Sequence, residues 1–269
     1  MKLYIILSPQ GFTDVIKNKL KDYYSMDLDE VIICSTHFHT HMFKSTKDDL
    51  SNTLNFKKLT ITNLFNFYQG KSIESTEHIS SSKNFIDSLN HSNYFCYKYE
   101  NRTDILNSKN EVICKEYIRD NQVIIRDFFK NKQFILKEKL DEFNYVSYKQ
   151  YMSTKNKKVL MRQFLNYQGQ VVIQKNYTDN KLILIDLPLE GKSFTTESNF
   201  RQYWYKQLTF DPRYINNIVC DESSMIWKEI SKYIYPDPVL NSLIHENTDY
   251  LPEIVSNDSN KIIIDVQSN

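Results

Sequence analysis

Four short polar clusters hold the side chains that could do chemistry in this chain: Ser8–Gly11, Thr36–His41, Asp221–Glu222 and His245–Glu246. Each follows directly on an apolar run, the place where a buried strand leaves a core. A glycine turn that opens a helix can take a phosphate on free backbone N–H groups, and that is the chemistry open to Gly11. With acids and a histidine opposite, such a cluster could hold a nucleotide-sugar. Gly11 stands alone, however, with no G-x-G-x-x-G and no G-x-x-x-x-G-K-[ST] around it, so a plain strand-to-helix turn accounts for it equally well. Asp221 and Glu222 are adjacent and point apart at a strand end, which favours a loop start or a helix cap. His37, His39 and His41 alternate as metal ligands on one strand face would. No Asp or Cys joins them locally, so they read as solvated loop histidines.

The elements that must position these clusters follow from periodicity. "KLYIIL" predicts a buried first strand, and Phe12, Val15, Ile16, Leu20 and Tyr23 recur at helical spacing over about 12–24. "DEVIICST" predicts a second buried strand, giving the strand–turn–helix–strand opening of a Rossmann-like unit. Residues 45–90 are Ser-, Asn- and Lys-rich and read as mixed helix and loop. Over 93–187 the pattern changes to short β-rich runs: "NYFCYKYE", "EVICKEYI", "QVIIRDFF", "QFILKEKL", "YVSYKQYM", "KVLMRQFL", "QVVIQKNY" and "KLILIDLP". Turn pieces such as Asp120-Asn121 and Asp179-Asn180 separate most of them, which predicts an antiparallel meander of hairpins with one face free to bind. From about 194 the α/β pattern returns. A helix runs through "FTTESNFRQYWYKQL", then a strand "INNIVCDE", a helix "SMIWKEISKYIY", a strand "VLNSLIHE" and a last strand "NKIIIDVQSN". Trp204 and Trp227 fall on apolar helix faces, where core packing is their expected use.

The predicted architecture is therefore α/β plus β, a Rossmann-like parallel sheet interrupted by a large antiparallel meander. Residues 1–90 and 191–269 form the two parts of the Rossmann-like domain, and 91–190 form the insertion. Composition agrees with an ordinary globular class: 269 residues, 41% hydrophobic, 34 basic against 33 acidic side chains, well mixed. That balance speaks against electrostatic capture of nucleic acid. The 19 Tyr and 16 Phe suit sheet faces or a binding groove. Cys34, Cys96, Cys114 and Cys220 are far apart and each lies in or beside an apolar run, so buried reduced thiols in a cytoplasmic protein are expected. No stretch reaches the roughly 18 apolar residues of a membrane span.

The order of segments is more specific than any one of them. "R-x-F-L-N-Y-Q-G-Q-V-V" (Arg162–Val172) and "F-x-x-E-S-N-F-R-Q-Y" (Phe194–Tyr203) precede a strand ending in Asp221 and then a strand ending in His245. This resembles the N-terminal half of bacterial two-domain retaining (GT-B type) glycosyltransferases with a β-meander inserted in the first Rossmann fold. That group includes the poly(glycerol- or ribitol-phosphate) glycosyltransferases of teichoic acid and the O-GlcNAc transferase subunit of accessory secretion.

The resemblance implies a metal-free donor site between two Rossmann domains, with UDP-GlcNAc or UDP-glucose as donor and no other cofactor. Gly11 matches the glycine near the donor phosphates. His245 matches the histidine that contacts the donor sugar, the candidate catalytic residue, with Glu246 beside it as a donor contact. Asp221 matches the family's strand-end acid, but Glu222 stands where arginine is usual, and no second histidine follows His245. The family's two glutamates eight positions apart have no counterpart here. The expectation is an acceptor-binding part of a hexosyl or N-acetylhexosaminyl transferase with little activity alone, as for a truncated product. Its acceptor would be a teichoic acid or a Ser/Thr-rich protein, with peripheral membrane association left open. The other expectation is a non-catalytic partner subunit of such a transferase.

Overall fold

A computed structural model describes residues 2–7, 12–35, 38, 48–70, 94–141, 143–207 and 217–220. They belong to two compact units, Met1–Phe67 with Ser198–Asn269, and Tyr68–Glu197.

The first unit is built on a parallel sheet. Strand β1 (Lys2–Leu7) lies at its centre, with Leu3, Ile5 and Ile6 inaccessible to solvent or nearly so. A strand apolar on both faces is what a sheet covered on both sides requires. Thr13 then caps helix α1 (Asp14–Leu20), its hydroxyl accepting from the Ile16 N–H at 3.4 Å. Asp14 in the first turn and Lys17 and Lys19 in the last complement the helix dipole. The helix buries Ile16 and Leu20 and leads through a 3-10 turn (Lys21–Tyr23) into β2 (Asp27–Ser35).

The stretch expected as mixed helix and loop contains a nine-residue strand, β3 (Asn55–Asn63), parallel to β2. It escapes a periodicity reading because it is the end strand among the described residues and its first half is polar and largely exposed. Lys57 bonds Asp29 at 2.6 Å, and Thr60 bonds Glu30 at 2.9 Å. Asn55 bonds Asp27, so the pairing is laced by side chains rather than by apolar contact. Asn63 closes the strand and opens helix α2 (Leu64–Gln69), its Oδ1 accepting from the Asn66 N–H at 2.7 Å.

The second unit is a ten-stranded antiparallel sheet whose strands lie side by side in chain order. They are β4 (Tyr94–Lys98), β5 (Arg102–Asn107), β6 (Val112–Arg119), β7 (Gln122–Lys130) and β8 (Gln133–Leu140). Then come β9 (Val146–Met152), β10 (Val159–Leu165), β11 (Val171–Thr178), β12 (Lys181–Leu187) and β13 (Lys192–Phe194). The sequence reading lacks β5 and β13. β5 hides because Thr103 and Asp104 look like turn residues, yet both are buried in the sheet. The turns expected at Asp120-Asn121 and Asp179-Asn180 are present, and these pairs and Asn131-Lys132 are all left-handed. Two successive positive φ values make a type I′ turn, whose twist matches that of the strands it joins. Register shifts recur along the sheet, for example between Ile105 and Leu106 and between Phe128 and Phe129, and such bulges add to the twist.

Gln69 is tied into this second unit. Its Nε2 donates to the carbonyls of Ser147 at 2.8 Å and Leu165 at 2.7 Å, on β9 and β10. Helix α3 (Glu197–Gln207) follows β13, and β14 (Asn217–Cys220) returns to the first unit beside β1. Phe200 and Trp204, four residues apart on α3, are fully buried, as expected for Trp204. Trp227 and the strands expected at "VLNSLIHE" and "NKIIIDVQSN" lie outside the described residues.

Candidate functional site

The parallel sheet runs in the order β14-β1-β2-β3. Strands β2 and β3 add to one side of β1 and β14 to the other, so the order reverses at β1. A reversal of this kind leaves a crevice beyond the carboxyl ends of the strands, the usual ligand position in open α/β sheets. Ile6 is paired with Cys220 on one flank and Leu7 with Ser35 on the other. The segments that begin at Ser8, Thr36 and Asp221 therefore start from one edge of the sheet. Gly11, Asp221, Glu222, His245 and Glu246, together with His37, His39 and His41, lie outside the described residues.

The described part of that edge is polar and buried. Ser35 and Asn63 are paired across β2 and β3 and are 2% and 0% exposed. Among the described residues the buried Asn63 Nδ2 has no hydrogen-bond acceptor. Sequence periodicity misses Asn63 because its strand is polar; the signal that finds it is an Asn directly before the apolar pair Leu64-Phe65, a capping pattern. Cys34, next to Ser35, is held as an inert thiol, its pKa pushed up to about 12 by burial. No group of three metal-ligating side chains occurs among the described residues.

The antiparallel sheet carries a polar row across each face. Directly opposed residues give the first row as Thr103, Glu116, Arg126, Glu138, Lys149, Gln163, Gln174, Asp186 and Ser193. Arg126 bonds Glu116 at 2.8 Å and lies 4.0 Å from Glu138, which meets Lys149 at 3.3 Å. Gln163 donates to Gln174 at 2.9 Å, and Ser193 donates to Asp186 at 2.6 Å. Opposite charges in register satisfy one another, so Glu116, Arg126 and Glu138 can all be buried.

The second row, on the other face, is Asp104, Lys115, Asp127, Lys137, Gln150, Arg162 and Lys175. Lys137 meets Asp127 at 3.4 Å, and buried Lys175 meets Glu197 at 2.6 Å. Arg162 is held by neutral groups, its Nε donating to Gln150 at 3.1 Å and a terminal N–H to the Tyr177 hydroxyl at 3.3 Å. Lys139, one step along β8 from Lys137 on this face, lies over the Tyr148 ring at 5.5 Å.

The expectation of four buried thiols is corrected at one position, and the side chain of Cys220 lies outside the described residues. Cys34 and Cys114 are buried, but Cys96 is exposed. It sits on β4, the end strand of the sheet, with Phe95, Tyr97 and Tyr99 exposed around it. Among the described residues β4 has a neighbouring strand on one side only, so its side chains have fewer cross-strand neighbours and an apolar run there does not imply burial.

No protein-family model and no curated protein matches this sequence. Solved structures do resemble it in fold. TarM aligns with a TM-score of 0.58 and 16% identity over 82% of this chain and 45% of its own. The pneumococcal O-GlcNAc transferase GtfA, in complex with UDP and GlcNAc, aligns with a TM-score of 0.60 and 14% identity over 86% of this chain and 45% of its own. A Glycosylation Associate Protein (Gap123) complex from Streptococcus agalactiae aligns at 0.60 and 15% identity, over 82% and 47%. The chain thus spans less than half the length of these structures. The likeness is one of fold: a small parallel sheet with a large antiparallel insertion.

Proposed function

We propose that this chain is the acceptor-binding part of a UDP-sugar-dependent glycosyltransferase that modifies a cell-wall polymer or a Ser/Thr-rich surface protein. The observation that carries the reading is the pairing of two features in one chain. A parallel sheet with its reversal at β1 offers one wall of a donor crevice, and a ten-stranded insertion offers a long polar surface. The fold-level likeness to GtfA, itself seen with UDP and GlcNAc, supports a hexosyl or N-acetylhexosaminyl donor.

In this reading Gly11 lets the backbone approach the donor phosphates, and His245 and Glu246 contact the donor sugar, with Asp221 as a supporting acid. Transfer also needs cations on the leaving diphosphate, a dominant source of rate in such reactions, and a second domain supplies them. The chain alone is therefore inactive, works in the cytoplasm where its donor is soluble, and takes no metal. His245→Ala in the completed enzyme should abolish transfer and leave polymer binding by the meander unchanged. Loss of both together would make His245 a structural residue and remove the reading's catalytic assignment.

A second reading is a non-catalytic partner subunit. Glu222 in place of the expected arginine and the lack of a second histidine near His245 favour it, and the resemblance to a Glycosylation Associate Protein complex supports it. Co-purification of a transferase that needs this chain for stability, with no UDP-sugar binding by the chain itself, would select this reading over the first.

A further inference from the structure

Three cations and one carboxylate share one patch of the second polar row. Lys137 and Lys139 stand on β8, Arg162 stands on β10, and Asp127 on β7 neutralises Lys137 alone. Lys137 is opposed to Gln150 and Gln150 to Arg162; Lys139 is opposed to Tyr148. The three cations thus project from the same face, and strands β8 and β10 are roughly 10 Å apart, two strand spacings. Lys139 reaches over Tyr148 and the Arg162 Nε meets Gln150, so both cations border one stretch of the intervening strand β9.

The arrangement is held in place without being neutralised. The Tyr148 ring lies under Lys139 and the Tyr177 ring under Arg162, at 5.5 and 5.0 Å. Gln150 Oε1 accepts from both Arg162 and the Tyr148 hydroxyl, at 3.1 and 2.7 Å. Among the described residues Lys139 has no hydrogen-bond acceptor and no ion pair, and Arg162 has no carboxylate. The remaining acid nearby, Glu197, is engaged by Lys175. Crowding shows on Lys139, whose pKa is lowered by burial and then by the charges of Lys137 and Arg162. Half-buried cations of like sign, ordered by aromatic rings and left uncompensated, are costly in the free protein and gain most when an anion arrives.

We propose that Lys139 and Arg162, with Lys137, form a phosphate-binding site on the face of the antiparallel sheet, and that its occupant is a phosphodiester-linked polymer. The ammonium supplies a point charge, the guanidinium supplies its unused N–H groups, and together they grip the two free oxygens of one diester. The choice of polymer rests on the acceptor-binding reading of the meander: of the two acceptor classes, a neutral Ser/Thr-rich protein offers nothing to this patch.

The test is equilibrium binding of a fluorescein-labelled oligo(glycerol phosphate) to the full chain, measured by anisotropy with no donor sugar present. Lys139→Gln/Arg162→Gln should weaken binding at least tenfold. Lys109→Gln/Lys130→Gln, which removes two exposed charges at hairpin ends elsewhere, should change it less than twofold. Lys139→Arg should retain binding, and Lys139→Gln should melt at the same temperature as the wild type or higher, because a repulsion is removed. Equal weakening by the two double variants would reduce the effect to net charge and overturn the site. So would wild-type binding no tighter than that of inorganic phosphate, or a preference for a sulfated oligosaccharide of equal charge. Because no transfer is measured, the site can fail while the glycosyltransferase reading stands, and the reverse.

Discussion

Single residues decide whether the two polar rows help or harm the fold. Arg126 lies between Glu116 and Glu138 with its side chain 8% exposed. Removing it strands the buried Glu116 carboxylate and leaves Glu138 to Lys149 alone, so Arg126→Met should destabilise the protein by about 3–5 kcal/mol in urea unfolding. Replacing all three by apolar residues should return much of that loss, since desolvation is avoided along with the pairing. Gln69→Leu removes two donors from buried carbonyls and should cost about 2 kcal/mol by the same measurement. The thiols separate by exposure. Iodoacetamide labelling of the native chain followed by peptide mapping should modify Cys96 and spare Cys34 and Cys114. Burial, reinforced by the Glu116 charge, pushes the Cys114 thiol up as well, and thiolate is the reacting species.

At the scale of elements, the polar clamp between β2 and β3 has an acid limit. Lys57 holds the exposed Asp29 carboxyl down to about 2, first through its hydrogen bond. Between the ordinary aspartate value of about 4 and that point, the unfolded chain binds more protons than the folded one, so stability rises with pH. The Asp29 contribution is complete above that window and fades as pH falls through it. Asp29→Asn should flatten the acid limb of the melting-temperature profile within this window. In the hairpins, Asn121 adopts φ 62°, and Asn121→Val should cost about 1–2 kcal/mol while Asn121→Gly stays near neutral. These two cases also mark what the sequence discloses. Strand β1 and the I′ turns are legible because an unbroken apolar run and paired Asp-Asn steps have few other uses. β3 is not, since its stability comes from Asn55, Lys57 and Thr60 finding partners on β2, and partners across a gap of about 28 residues leave no local pattern. β5 is hidden for the related reason that Thr103 and Asp104 behave as turn formers until a neighbouring strand pairs them.

For the whole molecule, the order of segments carries more information than their chemistry. The meander follows from where the apolar runs stand along the chain, whereas the reversal at β1 is given by strand pairing; the fold matches that of structures at 14–16% identity. The Lys139–Arg162 patch was out of reach of that reading, although Arg162 lies in one of its motifs, because only strand register brings β8 and β10 together. The account's central claim is that this chain forms one wall of a sugar-transfer site and a second domain forms the other. The most direct test is transfer of labelled GlcNAc from UDP-GlcNAc to a polymeric acceptor, by the chain alone and by the chain joined to a second Rossmann domain of the kind found in GtfA. The account predicts no transfer by the chain alone, transfer by the joined protein, and loss of that transfer in His245→Ala. Transfer by the chain alone, or joined activity that survives His245→Ala, would contradict it.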